Sequence, residues 1–354
     1  MLLALGGYLA VRFCGILILW VALGGDASAL VSALGDRYDA QWLLRIARDG
    51  YDDGVQAPSN LAFFPLFQTI AASLGFVGLP VAGITISALA GAAAAAGIFA
   101  VARRIATPMV GILAAILWGA VPHAVTLSMA YTEALFTALA AWALWAVLVR
   151  RWLTAAVLCA LAGLCRATGW VLVVVVIVAA VVSLWQHHGR CWRAWLAIVI
   201  APLGWIGYVG WVALRTGEIT GWLQVQAAWG SRFDGGGYTM RSLIAVLSEH
   251  SNPQYVVVAL VLIAAVALWV LSLVQRQPWP LSLYSLLILV TAIGAAGYFQ
   301  SKARLIIPAF PLLLPLAMLL ARTHVAVRIG VLAVAAVLSG WFGAYLLTQA
   351  SYSP

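Results

Sequence analysis

Residues 38–65 read YDAQWLLRIARDGYDDGVQAPSNLAFFP. Six of the ten acidic residues of the chain, Asp26, Asp36, Asp39, Asp49, Asp52 and Asp53, lie in or just before this stretch. The surroundings make that concentration informative. Hydrophobic residues fill 65% of the 354 positions and charged ones only 8%, whereas about a quarter of the residues of a soluble globular domain are charged. Apolar runs long enough to cross a hydrocarbon core, about 20 residues each, recur along the whole chain. The composition therefore predicts an all-α, polytopic transmembrane helical bundle forming one integral membrane domain over residues 1–354. In such a chain an ionisable residue is costly and calls for a role.

Eleven spans are expected, near residues 3–24, 80–101, 108–127, 131–149, 152–165, 167–186, 194–214, 254–274, 279–297, 303–320 and 326–347. Arg103, Arg104, Arg150, Arg151, Arg190, Arg193, Arg276, Arg322 and Arg328 fall in every second connection, which marks the cytoplasmic side because positive residues are retained there. All ten acids then lie outside, with nearly as many cations. The net charge of +9 is thus a topology signal and gives no reason to expect nucleic acid. This parity requires residues 61–77 to lie at the outer interface without crossing. Two outer loops are long, at about 25–62 and 215–253. The span at 152–165 is the shortest, at about 21 Å as a helix.

Several features read as structural. Cys14, Cys159, Cys165 and Cys191 sit in or beside apolar runs without metal or redox spacing. Ala27-Ser28-Ala29 has the form of a signal-peptide cleavage site, yet apolar residues precede Arg12 where a charged leader belongs, so a retained span is expected. Arg12 in mid-span should face other helices and find a polar partner. His123 reads as a satisfied helix histidine. Arg232–Tyr238, RFDGGGY, lacks the strand and spacing of a nucleotide loop and reads as a flexible outer segment.

Within the first loop, residues 37–49 predict a short amphipathic helix in the interface plane, with Trp42, Leu43, Ile46 and Ala47 on one face and Gln41, Arg45, Arg48 and Asp49 on the other. Gly50 should end it, and Asp36 is placed at its N-cap. Asp49, Asp52 and Asp53 are expected to solvate its exit.

At these residues the sequence resembles the GPI mannosyltransferase 2 (PIG-V) family. Tyr38-Asp39-Ala40-Gln41-Trp42, Ile46-Ala47, Gly50-Tyr51 and Ala62-Phe63-Phe64-Pro65 follow the family's first-loop pattern. Tyr131-Thr132-Glu133-Ala134-Leu135-Phe136, Cys165-Arg166-Ala167-Thr168-Gly169 and Arg304-Leu305-Ile306-Ile307-Pro308-Ala309-Phe310-Pro311 agree in order. Tyr38 stands where Trp is usual, and Gln68 where a second Pro is common. The resemblance implies a GT-C glycosyltransferase. Arginine in place of lysine at 18 of 19 basic positions, with abundant Ala, Gly and Val, reads as the bias of a GC-rich genome and hence a bacterial member.

What the resemblance implies is a multi-pass enzyme of the cell membrane whose extracytoplasmic site moves mannose from a polyprenyl-phosphate donor to a lipid-linked glycan or other acceptor. Asp39 matches the catalytic acid. One carboxylate suffices as general base for an inverting transfer, since the leaving lipid phosphate is already a stable anion. Arg166, Arg304 and Lys302 are the candidates for gripping that phosphate, and Glu133, Tyr131, Gln41 and Trp42 for orienting substrate, with an ion pair to Arg166 explaining Glu133 equally well. No cofactor is called for. The acids of the first loop leave a divalent cation open, but no ligand spacing marks one. The competing reading is a transporter or flippase of lipid-linked sugar without transferase activity.

Overall fold

The computed structural model describes residues 1–54, 58–248 and 252–354. Residues 55–57 of the first loop and Glu249, placed outside by the charge pattern, lie beyond the described residues. The chain opens with α1 (Leu2–Ala22), followed by three short helices, α2 (Ala27–Gly35), α3 (Asp39–Asp49) and α4 (Leu66–Ser73). Then come α5 (Leu79–Ile105), α6 (Pro108–Gly119), α7 (Glu133–Leu148), α8 (Trp152–Gly163) and α9 (Gly169–Gln186). Next are α10 (Trp192–Ile200) and α11 (Leu203–Thr216), separated at Pro202, then α12 (Gly221–Ala228) and α13 (Gly237–Ser248). The chain finishes with α14 (Pro253–Val274), α15 (Trp279–Gly294), α16 (Lys302–Ile306), α17 (Leu314–Ala321) and α18 (Val325–Thr348).

Among the described residues six segments are long and apolar enough to cross a membrane: α1, α5, α9, the α10–α11 pair, α14 and α18. A seventh is the pair Phe299–Ile306 and Phe310–Ala321, bent by 77°. Each of the other four expected spans coincides with a shorter apolar helix, α6, α7, α8 or α15. The twelve residues of α8 rise only about 18 Å, but α7, α9, α10 and α11 surround it. Its ends are shielded by protein where lipid would leave them unsatisfied.

Helices in lipid gain little from hydrophobicity against one another, so they associate through close packing at small residues. Gly204 of α11 shows this: a Cβ there would collide with the Ala160 carbonyl of α8. Arg12 is buried in α1 and donates from Nε and Nη2 to Ser128 Oγ at 3.2 and 2.9 Å and from Nη1 to Gly119 O at 3.1 Å. The expected polar partner is therefore a hydroxyl beside a free carbonyl.

One expectation for the loops changes, and two segments gain a defined structure. Ala27-Ser28-Ala29 is the first turn of α2, with Asp26 as its N-cap accepting from the Ser28 and Ala29 amides. Asp36 stands at the C-terminal end of α2 and caps nothing with its side chain; Tyr38 takes the N-cap position of α3. The RFDGGGY segment is bonded to the bundle and to itself. Arg232 and Phe233 pair antiparallel with Ala296 and Ala295, and the Asp234 carboxylate accepts from the Gly236 and Tyr238 amides at 2.9 and 2.6 Å. Residues 61–77 contain only the eight-residue α4 and two single turns, too little to span.

Candidate active site

The site is built where α3, the start of α7, the α8–α9 turn and α16 meet. Helix α3 exists because its apolar positions recur on one face: Ala40, Leu43, Leu44 and Ile46 are buried, while Gln41, Arg45, Arg48 and Asp49 are exposed. Gly50 ends it at φ 84°, its amide donating to Ile46 O. The entry is less relaxed. Tyr38 has φ 56° and ψ −125°, a combination that ordinarily belongs to glycine and stores strain of roughly 1–3 kcal/mol. That turn aims Asp39, the first residue of α3, back toward the bundle.

Asp39 Oδ2 lies 2.8 Å from Arg304 Nη1. Arg304 Nε lies 3.4 Å from Glu133 Oε1, and the same oxygen lies 2.6 Å from Arg166 Nη1. A chain of alternating charge thus runs Asp39, Arg304, Glu133, Arg166. Glu133 opens α7, where the free amides and dipole of a helix N-terminus favour an acid. Arg166 also donates to Thr132 Oγ1 at 3.0 Å. The Tyr131 ring lies 5.1 Å beneath the Arg304 guanidinium, and the Tyr131 hydroxyl accepts the Asp39 amide at 3.3 Å.

The network is incomplete as it stands. Arg304 Nε and Nη1 sit at ion-pair distance from their carboxylates but out of hydrogen-bond alignment, and Glu133 Oε2 and Thr168 Oγ1 are buried without partners. Buried polar groups are rarely left in that state. Next to them is a cavity of about 140 Å³ lined in part by Asp39, Tyr131, Glu133, Arg166 and Thr168.

The other predicted residues are engaged elsewhere. Lys302 is 1% exposed, and its ammonium donates to Ala292 O at 2.7 Å and to Ala295 O, closing the end of α15. Gln41 donates to Asp36 O at 3.1 Å on the exposed side of α3. Trp42 stacks with Phe63 and edges Trp229, at 6.3 and 5.0 Å between centroids. His123 is buried, and neither ring nitrogen has a partner, so it is not the satisfied histidine expected. It lines a cavity of about 360 Å³ whose other walls are almost wholly apolar, among them Val257, Val261, Ala303, Ile306 and Phe310.

Of the remaining loop acids, Asp49 and Asp53 stay exposed to solvent as expected while pairing with arginines, and Asp52 is a clamp. Asp52 pairs with Arg45 at 3.2 Å and exchanges two 2.8 Å hydrogen bonds with Asn60. Asp53 pairs with Arg215 at 2.6 Å, and Arg215 also donates to the Tyr51 and Asp52 carbonyls. Asp49 pairs with Arg48, which holds its carboxyl below the usual range. Burial pushes the Tyr51 phenol up to about 12, so it stays protonated and donates to Phe63 O at 2.8 Å. The Ala-Phe-Phe-Pro elbow is held by the same neighbourhood: Phe64 packs 4.4 Å from Tyr208 and 5.9 Å from Trp222.

No known protein family and no curated protein matches the chain. Among solved structures it is similar in fold to ArnT from Cupriavidus metallidurans bound to undecaprenyl phosphate, with a TM-score of 0.55 at 15% identity over 94% of this chain and 62% of that one. It is also similar to the Archaeoglobus fulgidus oligosaccharyltransferase in its apo form, with a TM-score of 0.53 at 13% identity over 98% of this chain and 56% of that one. The chain therefore spans about three fifths of the length of these structures. The likeness gives the architecture alone: a multi-pass helical membrane protein with the fold of these structures.

Proposed function

We propose that the chain is a membrane glycosyltransferase that takes a sugar, mannose by its motif resemblance, from a polyprenyl-phosphate donor at the extracytoplasmic face of the cell membrane. The observation that carries this reading is the set of orphaned polar groups around Arg304 and Glu133, lying between Asp39 and Arg166. A phosphate in the adjoining cavity would meet Arg166 on its wall and give the neighbouring Arg304 the aligned acceptor it lacks. The ArnT structure, bound to undecaprenyl phosphate, supports a carrier-lipid donor by analogy. The donor's isoprenoid chain would lie in the apolar cavity beside Ala303 and Ile306.

The acceptor hydroxyl oxygen forms its bond to the anomeric carbon as the bond from that carbon to the phosphate oxygen breaks. The electron pair leaves on the lipid phosphate, held by Arg304 and Arg166. The hydroxyl proton passes to the Asp39 carboxylate, which is one-third exposed on its side chain and so open to substrate. In the resting chain Arg304 occupies that carboxylate. When the phosphate draws the guanidinium away, the base is released only where a donor is present, and adventitious proton uptake is limited.

The test is transfer by purified protein from radiolabelled polyprenyl-phosphate mannose to a panel of glycolipid acceptors. Asp39→Asn should lose about 10²–10⁴ of the rate, the usual contribution of a general base. Transfer at the wild-type rate in that variant would remove Asp39 from the mechanism.

A further inference from the structure

A second, larger cavity adjoins the site and is not used by the donor. It has a volume of about 670 Å³ and shares Ala167, Thr168 and Leu305 with the 140 Å³ cavity around Asp39. That volume falls within the range of ligand pockets, roughly 300–1,000 Å³. Its walls come from α9, α11, α12 and the β-paired segment, and three indoles, Trp170, Trp205 and Trp222, dominate them.

Some of the polar groups are unpaired. Thr168 Oγ1, on the boundary of the two cavities, is buried without a partner, and so is Trp222 Nε1. Gln226 donates from Nε2 to Ala62 O at 3.3 Å, which fixes the amide and leaves its carbonyl oxygen without a recorded bond. Trp205 is locked by its own hydrogen bond to Ala167 O at 2.8 Å and stands edge-on to Trp222 at 6.1 Å. The lining thus combines rigid aromatic faces with the Trp222 N–H, the Gln226 carbonyl, the Thr168 and Ser231 hydroxyls, the Arg232 guanidinium, and a Thr291 hydroxyl that already donates to Leu287 O.

We infer that this cavity is the acceptor subsite and binds a pyranose ring. Resting on the transferase reading above, the inference adds the class and place of the second substrate. A pyranose presents a face of C–H groups, slightly positive, to the negative face of an indole, and a rim of hydroxyls that both donate and accept. Thr168, Trp222 and Gln226 match that rim. A hydrocarbon chain would leave Thr168 Oγ1 and Trp222 Nε1 as unpaired as they are now, so the cavity beside Ala303 and Ile306, with apolar walls except at His123, suits the donor chain better. The shared wall at Thr168 leads a ring hydroxyl toward Asp39.

The test uses the full chain in lipid nanodiscs and three probes: decyl mannopyranoside, decyl glucopyranoside and a decyl oligoethylene glycol ether without a ring. Affinity is read by titration, and ring contact by saturation transfer to the sugar protons. At least one glycoside should bind more tightly than the ether and show ring-proton saturation. Thr168→Val, which keeps shape and loses a hydroxyl, and Trp222→Phe, which keeps an aromatic face but loses the N–H with one ring, should weaken that glycoside about three- to tenfold and leave the ether unchanged. Trp222→Phe alone decides if Thr168→Val does not fold. Equal binding of all three probes, or unchanged glycoside affinity in the folded variants, would overturn the assignment. Asp39→Asn separates the two readings: it should bind the glycoside as wild type does, so intact transfer in that variant sinks the mechanism without touching the subsite.

Discussion

Removing the Glu133 carboxylate tests the charge chain directly, whatever reaction it serves. Its side chain is 2% exposed, and one oxygen serves Arg166 at 2.6 Å and Arg304 at 3.4 Å. At an effective dielectric of about 20, each contact carries a gross attraction of roughly 5–6 kcal/mol. Desolvation of the ions, several kcal/mol each, offsets most of it. Glu133→Ala leaves that cost in place without the attraction, and breaking a buried pair this way destabilises by about 3–5 kcal/mol. Arg304 would still have Asp39, but Arg166 would keep only the Thr132 hydroxyl. The loss should therefore fall mainly on Arg166, and Arg166→Met in the same chain should recover part of it. A double-mutant cycle, measured by denaturant unfolding of reconstituted protein, is expected to give a coupling of about 1–3 kcal/mol. Additivity of the two single changes within about 0.5 kcal/mol would refute the description of these residues as one network.

Three further outcomes follow from other parts of the molecule. Gly204→Ala should destabilise by about 1–3 kcal/mol or more through overpacking against Ala160, whereas Gly207→Ala on the same helix, with open space around it, should be neutral or gain up to about 1 kcal/mol; the same unfolding assay compares them. Cysteines introduced at Asp53 and Arg104 should label from opposite sides of sealed vesicles, and labelling from one side would mean that residues 61–77 cross. The Asp234 carboxyl is held below the usual range chiefly by the Tyr238 amide. Its stabilisation of the start of α13 is therefore complete above the unfolded carboxylate range, about pH 4, and is lost as pH falls through the depressed folded value; hydrogen exchange at the Tyr238 amide should accelerate there and be unaffected by pH in Asp234→Asn after correction for intrinsic exchange.

The helical segments were legible because lipid imposes length and apolarity on every crossing, and these are properties of a single run of residues. The same holds for α3, whose two faces and terminal Gly50 are written in its order. Asp39, Glu133, Arg166 and Arg304 could be gathered because each sits in a short polar motif at a helix end. The pairing of Glu133 with Arg166 was legible, but that of Arg304 with Asp39 was not, since their approach depends on the 77° bend and on Tyr38 adopting a left-handed φ. Asp36 was misplaced because α2 intervenes, with Asp26 as the acid that caps it. Lys302 looked like a free cation because nothing local to it foretells two carbonyls at the end of α15. The aromatic cavity beside Trp205 and Trp222 was missed altogether. Its one signal is the density of tryptophan between Trp205 and Trp229, which periodicity treats as ordinary membrane-interface residues.

Helix α16 is only five residues long, yet consecutive positions on it face different spaces. Ala303 and Ile306 bound the apolar cavity, Leu305 bounds the two cavities on the other side, and Arg304 carries the ion pair between them. Trp118 pins the end of this turn through a 3.1 Å hydrogen bond to Ile307 O. Side chains one position apart on a helix point about 100° apart, so a change at Ala303 alters the apolar cavity alone, while a change at Leu305 alters both cavities on the other side. The room on the two sides is therefore separable by single substitutions, while an insertion anywhere in this turn would rotate all of these side chains together and scramble both.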